Sequence, residues 1–383
     1  MKRRRTATGG LGELLYRGSV KDVWSMGDGS RCVFVFSDRY SIFDWGEMPD
    51  LLPHKGESLA MMGDALFRFL GDPGAWKSWK LPVALPPEWR RRLDGCADLR
   101  RLREMGLRHH SFGLVDESGS PLKPGDRSNR LLVKSWKRIL PRREKQAYDY
   151  ADYSGSPTGV LVPLEVVFRL GAPEGSSFLG RAQADGVKAG DRFPVPVVEF
   201  FTKLEPTDRF LTRKEAAETA GLSSGELERI ENLTILLALR LEAVFSRLGV
   251  ELWDGKFEFA FTPGEGKERS FELVDSIGPD ELRLVKKGVH LSKEILRRHY
   301  RGSKWYAGLE RAKKLAAERG EEDFRRLCEE ELELSPRPLP QRVFGAVKGL
   351  YPALAAGILQ ETMKVHLRAP ALEKVCARLE TLP

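Results

Sequence analysis

The chain has 383 residues, 41% hydrophobic and 31% charged, with a formal net charge of +8. That balance excludes a disordered or fibrous chain and leaves room for two or three domains with a sizeable core. No apolar run approaches the ~20 residues of a membrane span, and Cys32, Cys96, Cys328 and Cys376 lack the spacing of a disulfide framework or a zinc site.

The N-terminal MKRRRTATGG is basic but is not followed by an apolar stretch. It reads as a disordered arm, not a secretory signal, and a cytoplasmic location follows by default. Basic residues are densest at 87–110 and 134–145. They fit nucleic-acid binding, or solvated faces with a few arginines kept for small phosphorylated ligands. No nucleic-acid-binding motif accompanies the charge.

Residues 13–37 read as a β-hairpin that turns at Gly27-Asp28-Gly29 into CVFVFS. Within it, Gly18-Ser19-Val20-Lys21 sets a flexible residue and a lysine at a strand turn. Glycine lets backbone approach a ligand closely, so such a loop can cover nucleotide phosphates; a plain β-turn is the alternative. Residues 38–59 form a long loop carrying Asp38, Arg39, Asp44, His54 and Lys55, followed by a helix from Glu57 to Leu70. Ordered loops of that length are often functional. The six histidines suggest no catalytic one, since only His109 and His110 lie close together.

Residues 71–130 read as irregular and basic, 131–140 as a strand, and 141–159 as an exposed excursion. VLVPLEVVFRL (160–170) is a β-branched strand. Its Pro163 argues for an edge or an interdomain crossing, and a hinge between two lobes is expected there. Arg169 ends this strand and GAPEGSS follows; guanidinium, hydroxyl and backbone donors there suit a phosphate. The alternative is an exposed strand end with a flexible loop. Residues 196–212 give a strand and a loop with Lys203 and Asp208. Thr212 and Glu215 form a capping box. Ser223 or Ser224 caps a long core helix that Gly249 ends.

That helix leads into the hairpin around which the chain is organised, LWDGKFEFAF-TPGEGKER-SFELVD. Lys256 and Glu258 alternate with Phe257, Phe259 and Phe261, the pattern of a half-buried strand. Antiparallel pairing about Gly266–Lys267 would set Glu258 opposite Asp275, about 5 Å apart at Cβ. Facing like charges need neutralising. Mg²⁺ does this with one or two carboxylates plus substrate phosphates, and Lys256 could reach a phosphate from the same face. The alternative is a surface hairpin with both carboxylates solvated. Asp280 and Arg283 follow and could line the same cleft. From 292 the pattern is helical and charged until Pro336, Pro338 and Pro340; two more amphipathic helices fill 341–382.

Six segments in one order, YRGSVKDVW, SDRYSIFDWGEMPDLLPHKGESL, VPLEVVFR…GS, FFTK…D, WDGKFEF and ELVDSIGPDELR, resemble the SAICAR synthetase (phosphoribosylaminoimidazole-succinocarboxamide synthase) family over roughly residues 13–300. The resemblance implies an α+β, two-lobed fold similar to ATP-grasp and kinase lobes. An ATP-covering β-rich lobe would span 1–162, an α+β metal and substrate lobe 163–300, and an extra helical segment 301–383. It implies an ATP- and Mg²⁺-dependent ligase. Such an enzyme joins L-aspartate to the carboxylate of carboxyaminoimidazole ribonucleotide through an acyl phosphate, releasing ADP and phosphate. Small molecules would be its partners, without nucleic acid or membrane, and a homo-oligomer is compatible.

Carried over by residue, Gly18, Ser19 and Lys21 would cover the ATP phosphates. The adenine-side hinge would be Leu161 to Glu165, with Val162, Leu164 and Glu165 binding the cofactor. Glu258 and Asp275 would hold Mg²⁺ beside Lys256. Arg169, Ser176 and Arg283 would grip the ribonucleotide phosphate. Asp38, Asp44, Lys55, Lys203, Asp208 and Asp280 would surround the carboxylate and aspartate pockets, with Lys21, Lys203, Lys256 and Asp208 catalytic. Three departures bear on the substrate half: Ser19 replaces a basic residue, the Arg169–Ser176 stretch is longer, and Asp280-Glu281-Leu282-Arg283 replaces Asp-Ser-Ser-Arg or Asp-Gly-Ser-Arg. A homologous ligase for another carboxylate and amine, or a non-catalytic nucleotide-binding protein, are the alternatives.

Overall fold

The computed structural model describes residues 10–144, 147–181, 186–264, 268–321 and 323–382. Most of the basic N-terminal arm and the predicted turn centre at Gly266–Lys267 lie outside them. In chain order, β1 (Leu14–Arg17), β2 (Lys21–Met26) and β3 (Arg31–Phe36) precede α1 (Lys55–Gly71), α2 (Pro73–Lys77), α3 (Pro87–Gly95) and α4 (Ala97–Met105). Next come β4 (Ser111–Leu114), β5 (Arg130–Lys134), the small hairpin β6 (Arg142–Glu144) and β7 (Ala147–Asp149), then β8 (Val160–Gly171), β9 (Arg192–Thr202) and β10 (Phe210–Leu211). After α5 (Arg213–Ala220) and α6 (Ser224–Arg247) run β11 (Glu251–Pro263), β12 (Arg269–Val274), β13 (Leu282–Lys286) and β14 (Val289–His290). Helices α7 (Glu294–Arg301), α8 (Lys304–Arg319), α9 (Phe324–Arg326), α10 (Gln341–Val347), α11 (Leu350–Met363) and α12 (Leu372–Glu380) close the chain.

Two larger antiparallel sheets result beside the two-stranded β6–β7 sheet. One has the order β1-β2-β3-β5-β4; the other runs β10-β9-β8-β11-β13-β14, with β12 also on β11. The expected turn at Gly18 thus separates β1 from β2, so the first hairpin is a three-stranded meander. The predicted α1 forms, and its N-terminus is capped from the preceding loop, where Asp38 accepts from Gly56 N at 2.9 Å and His54 N at 3.2 Å. This helix lies under the first sheet, and α11 packs on it.

The 71–130 stretch is not irregular. It holds three short helices, two of which begin at Pro73 and Pro87, where proline's missing N–H costs nothing. The basic surface hides their narrow apolar stripe of Leu93, Leu99 and Leu102, all buried. Both capping boxes are present, Thr212 with Glu215 and Ser223 with Glu226.

Pro163 does not mark an edge. It sits inside β8, which is central, between β9 and β11. The ladder shifts there: Glu258 pairs Glu165, yet Ala260 pairs Leu161. This bulge takes up the residue that cannot donate. Buried Val166, Phe168, Phe257 and Phe259 line one face of the second sheet, and Phe168 stacks on Phe257 at 4.9 Å. Helix α6 covers β8, β9 and β11.

Three helices, not two, follow residue 340, because Lys348 ends α10 and Gly349 opens α11. The stretch Gln341–Met363 is long and apolar enough to span a membrane by composition, contrary to the expectation from sequence. More than half of its most apolar window is buried within the chain.

Candidate active site

The polar face of the second sheet carries the chemistry. Register places Glu258 beside Glu165, and Asp254 beside Arg169 and Arg283. At one end, Glu165 accepts from Lys203 at 2.9 Å and from Lys256. Lys203 also pairs Glu258 at 2.8 Å, with Lys256 at 3.8 Å. Lys21 crosses from the first sheet to bond Asp275, and its ammonium donates to Ser276 Oγ at 3.2 Å. The tight turn before it requires glycine: a Cβ on Gly18 would lie 2.5 Å from Lys21 O.

Asp275 is not where the sequence put it. Glu258 faces Val274, one residue earlier, and β12 ends there. Plain alternation would send Asp275 to the opposite face. Instead it adopts φ 66°, a left-handed turn that Asp tolerates better than most residues. His110 holds that turn, its Nε2 donating to the Asp275 carbonyl at 2.8 Å. Burial keeps this imidazole neutral, its pKa lowered to about 3.

The carboxylates therefore do meet. Loss of hydration, then the Asp275 charge, pushes Glu258 up to about 7. Burial works to raise Asp275 too, but Lys21 and Lys203 outweigh it and hold this carboxyl below its usual range. Burial disfavours the charged forms of Lys203 and Lys256; the neighbouring carboxylates, Glu258 foremost, still hold both above the ordinary lysine value. Asp208 stands exposed in the β9–β10 loop, raised by partial desolvation and then by Glu165.

Lys21, His110, Lys203, Lys256, Glu258 and Asp275 line a cleft of about 530 Å³ between the sheets, with Gly18, Ser19, Leu161, Asp280, Glu281 and Lys293 also on its wall. That volume suits a small-molecule ligand. A larger cavity of about 890 Å³ near His290, Arg298 and Arg301 carries less chemistry. Its arginines are already paired, Arg298 with Glu174 and Arg301 with Glu294.

No cluster of three or more His, Cys, Asp or Glu ligands forms among the described residues. Glu258 and Asp275 alone suit a cation that completes its shell with phosphate oxygens and water, as Mg²⁺ does. The raised Glu258 carboxyl marks a place where further positive charge is wanted.

Several expected contacts lie elsewhere. Val162 and Leu164 point into the core; only Leu161 of that stretch faces the cleft. Asp38 is spent on capping α1, and exposed Asp44 pairs Lys313 of α8 at 3.2 Å. Lys55 is wholly buried and donates to Asp280 at 2.8 Å. Arg169, Ser176 and Arg283 do gather, but Arg169 is tied to Glu199 and to Asp254 at 3.3 Å, leaving Ser176 its third partner at 3.3 Å. Arg283 meets the same Asp254 at 3.5 Å. His110 and Lys293 were not anticipated; neither sits in a local motif.

The SAICAR synthetase family model matches residues 14–79 and 158–312. A relative from Archaeoglobus fulgidus is 32% identical over 362 residues, 91% of this chain and 92% of that protein. The phosphoribosylaminoimidazole-succinocarboxamide synthase of Thermoplasma acidophilum is 28% identical over 321 residues, 79% of this chain and 87% of that one. Among solved structures, the SAICAR synthase of Saccharomyces cerevisiae complexed with SAICAR shares the fold. Its TM-score is 0.55 at 20% identity, with 96% and 99% of the two chains covered. A SAICAR synthetase in complex with ADP gives a TM-score of 0.50 at 21% identity, over 74% of this chain and 90% of that one. By family model and by sequence identity, the chain belongs to the SAICAR synthetase family.

Proposed function

We propose that this enzyme is an ATP-dependent ligase joining the carboxylate of carboxyaminoimidazole ribonucleotide to the amine of L-aspartate in purine biosynthesis. The observation that carries the reading is the meeting of Lys21, from one sheet, with Asp275, Glu258, Lys203 and Lys256 from the other, at the mouth of one cleft. Lysines from two sheets around a carboxylate pair suit a polyphosphate and its cation.

ATP transfers its γ-phosphoryl group to the substrate carboxylate, ADP leaves, and the amine attacks the acyl phosphate to release phosphate. The Gly18–Ser19 turn and Lys21 cover the phosphates. Lys203 and Lys256 neutralise the charge that grows on the transferring group. Asp208, raised and exposed at the edge of the cluster, takes up the proton the amine gives off. Glu258 and Asp275 would hold Mg²⁺, which supplies charge neutralisation when bound. Ser176 and Arg283 would receive the ribonucleotide phosphate, with Arg169 releasing a carboxylate to join them. The same reading places the enzyme in the cytoplasm, acting on small molecules.

The engagement of Arg169 by Glu199 and Asp254 favours, as a second reading, a different carboxylate and amine. A coupled ADP-release assay decides: turnover with carboxyaminoimidazole ribonucleotide and aspartate is expected, and its absence while another pair is turned over would replace the first reading by the second.

A further inference from the structure

One carboxylate at the cleft wall is held from three sides. Asp280 Oδ2 meets Lys55 Nζ at 2.8 Å and Lys293 Nζ at 3.3 Å. Its Oδ1 accepts from the Tyr351 hydroxyl at 2.9 Å. Tyr351 belongs to α11, 71 residues further on and beyond the residues that the family model matches.

The three donors differ in what they can reach. Lys55 has no exposed surface and lies over the Tyr351 ring, 5.0 Å from its centroid. It cannot touch a ligand. Lys293 is partly exposed and lines the cleft with Asp280 and Glu281. Glu281 accepts from Ser276 Oγ at 3.0 Å. Lys293 is therefore the ammonium of this group that an anionic substrate meets.

We infer that Tyr351 is a positioning residue: its hydroxyl fixes the Asp280 carboxylate, which holds the Lys293 ammonium at the cleft wall for an anionic substrate group. A carboxylate bound at both oxygens from opposite sides cannot rotate. Remove the hydroxyl and Oδ1 must find another donor in a buried site where an unpaired oxygen is costly. The nearest mobile one is Lys293, which then turns from the cleft. The inference rests on the ligase reading above.

Steady-state kinetics of Tyr351→Phe, Lys293→Met and the double variant test it. The phenylalanine keeps the ring and its packing. Its KM for one of the two anionic substrates should rise about tenfold, with kcat and the KM for ATP little changed. Lys293→Met should raise the same KM, and Tyr351→Phe should add nothing in that background. An unchanged KM in Tyr351→Phe, or equal effects of Tyr351→Phe with and without Lys293, would overturn the inference alone. If the parent enzyme fails to turn over the proposed pair, the substrate assignment and the inference both fall.

Discussion

Strands β8 and β11 carry two ion clusters on one face, built in opposite ways. At the Arg169 end three guanidiniums serve two carboxylates: Arg169 and Arg181 on Glu199, Arg169 and Arg283 on Asp254. At the Glu165 end three lysines, each partly exposed, share Glu165, Glu258 and Asp275. Arginine's rigid fork locks carboxylates in place, whereas an ammonium on a flexible stem exchanges partners. Without ligand the first cluster spends its charge within the fold, and it takes a phosphate only where Arg169 gives up a carboxylate. The second can trade a carboxylate for a phosphate. Side-chain type, at equal register on the same strands, separates a rigidly locked cluster from one that exchanges partners readily.

The contrast breaks first at its chemical end. Glu258→Gln should cut ADP formation about a thousandfold while circular dichroism stays that of the parent; near-normal rates at limiting Mg²⁺ would remove the metal assignment. At the structural end, Arg169→Met leaves Glu199 and Asp254 buried with less charge to answer them. A loss of about 3–5 kcal/mol in urea unfolding is expected, and a loss under about 1 kcal/mol would erase the distinction between the clusters.

The smallest effect is one of pH. The folded Glu258 carboxyl titrates near 7, above its ordinary 4.5, so the folded state holds that proton more tightly. Stability present at low pH is then lost as pH rises through 7, by on the order of 2 kcal/mol in the ligand-free enzyme. Asp275 acts in the other direction: its carboxyl sits below the ordinary 3.8, and its contribution is lost as pH falls beneath that value. Thermal melts from pH 5 to pH 8 should fall less steeply in Glu258→Gln; an equal slope would mean that another group carries the dependence.

Local pattern showed in advance much of what these tests address. Alternation of Lys256 and Glu258 with three phenylalanines marked the strand and its polar face, and the capping residues marked α5 and α6. What failed was long-range or conformational. No period reveals that Asp275 turns left-handed, so the sequence paired it with Glu258 one residue out of register. Pro163 reads as an edge signal because a bulge that hides a missing N–H leaves no mark in composition. Lys55 reads as a loop lysine of the substrate pocket, yet its partners Asp280 and Tyr351 lie 225 and nearly 300 positions away, and only the packing of α11 on α1 brings them to it.

The Lys21–Asp275 bond spans 254 positions of sequence, and that separation governs when the pocket can exist. On a ribosome the glycine turn and its lysine emerge first and wait, uncompensated, until another 254 residues have followed. Tyr351 arrives later still. A chain interrupted before α11 can own both sheets and yet lack the hydroxyl that holds Asp280 in place.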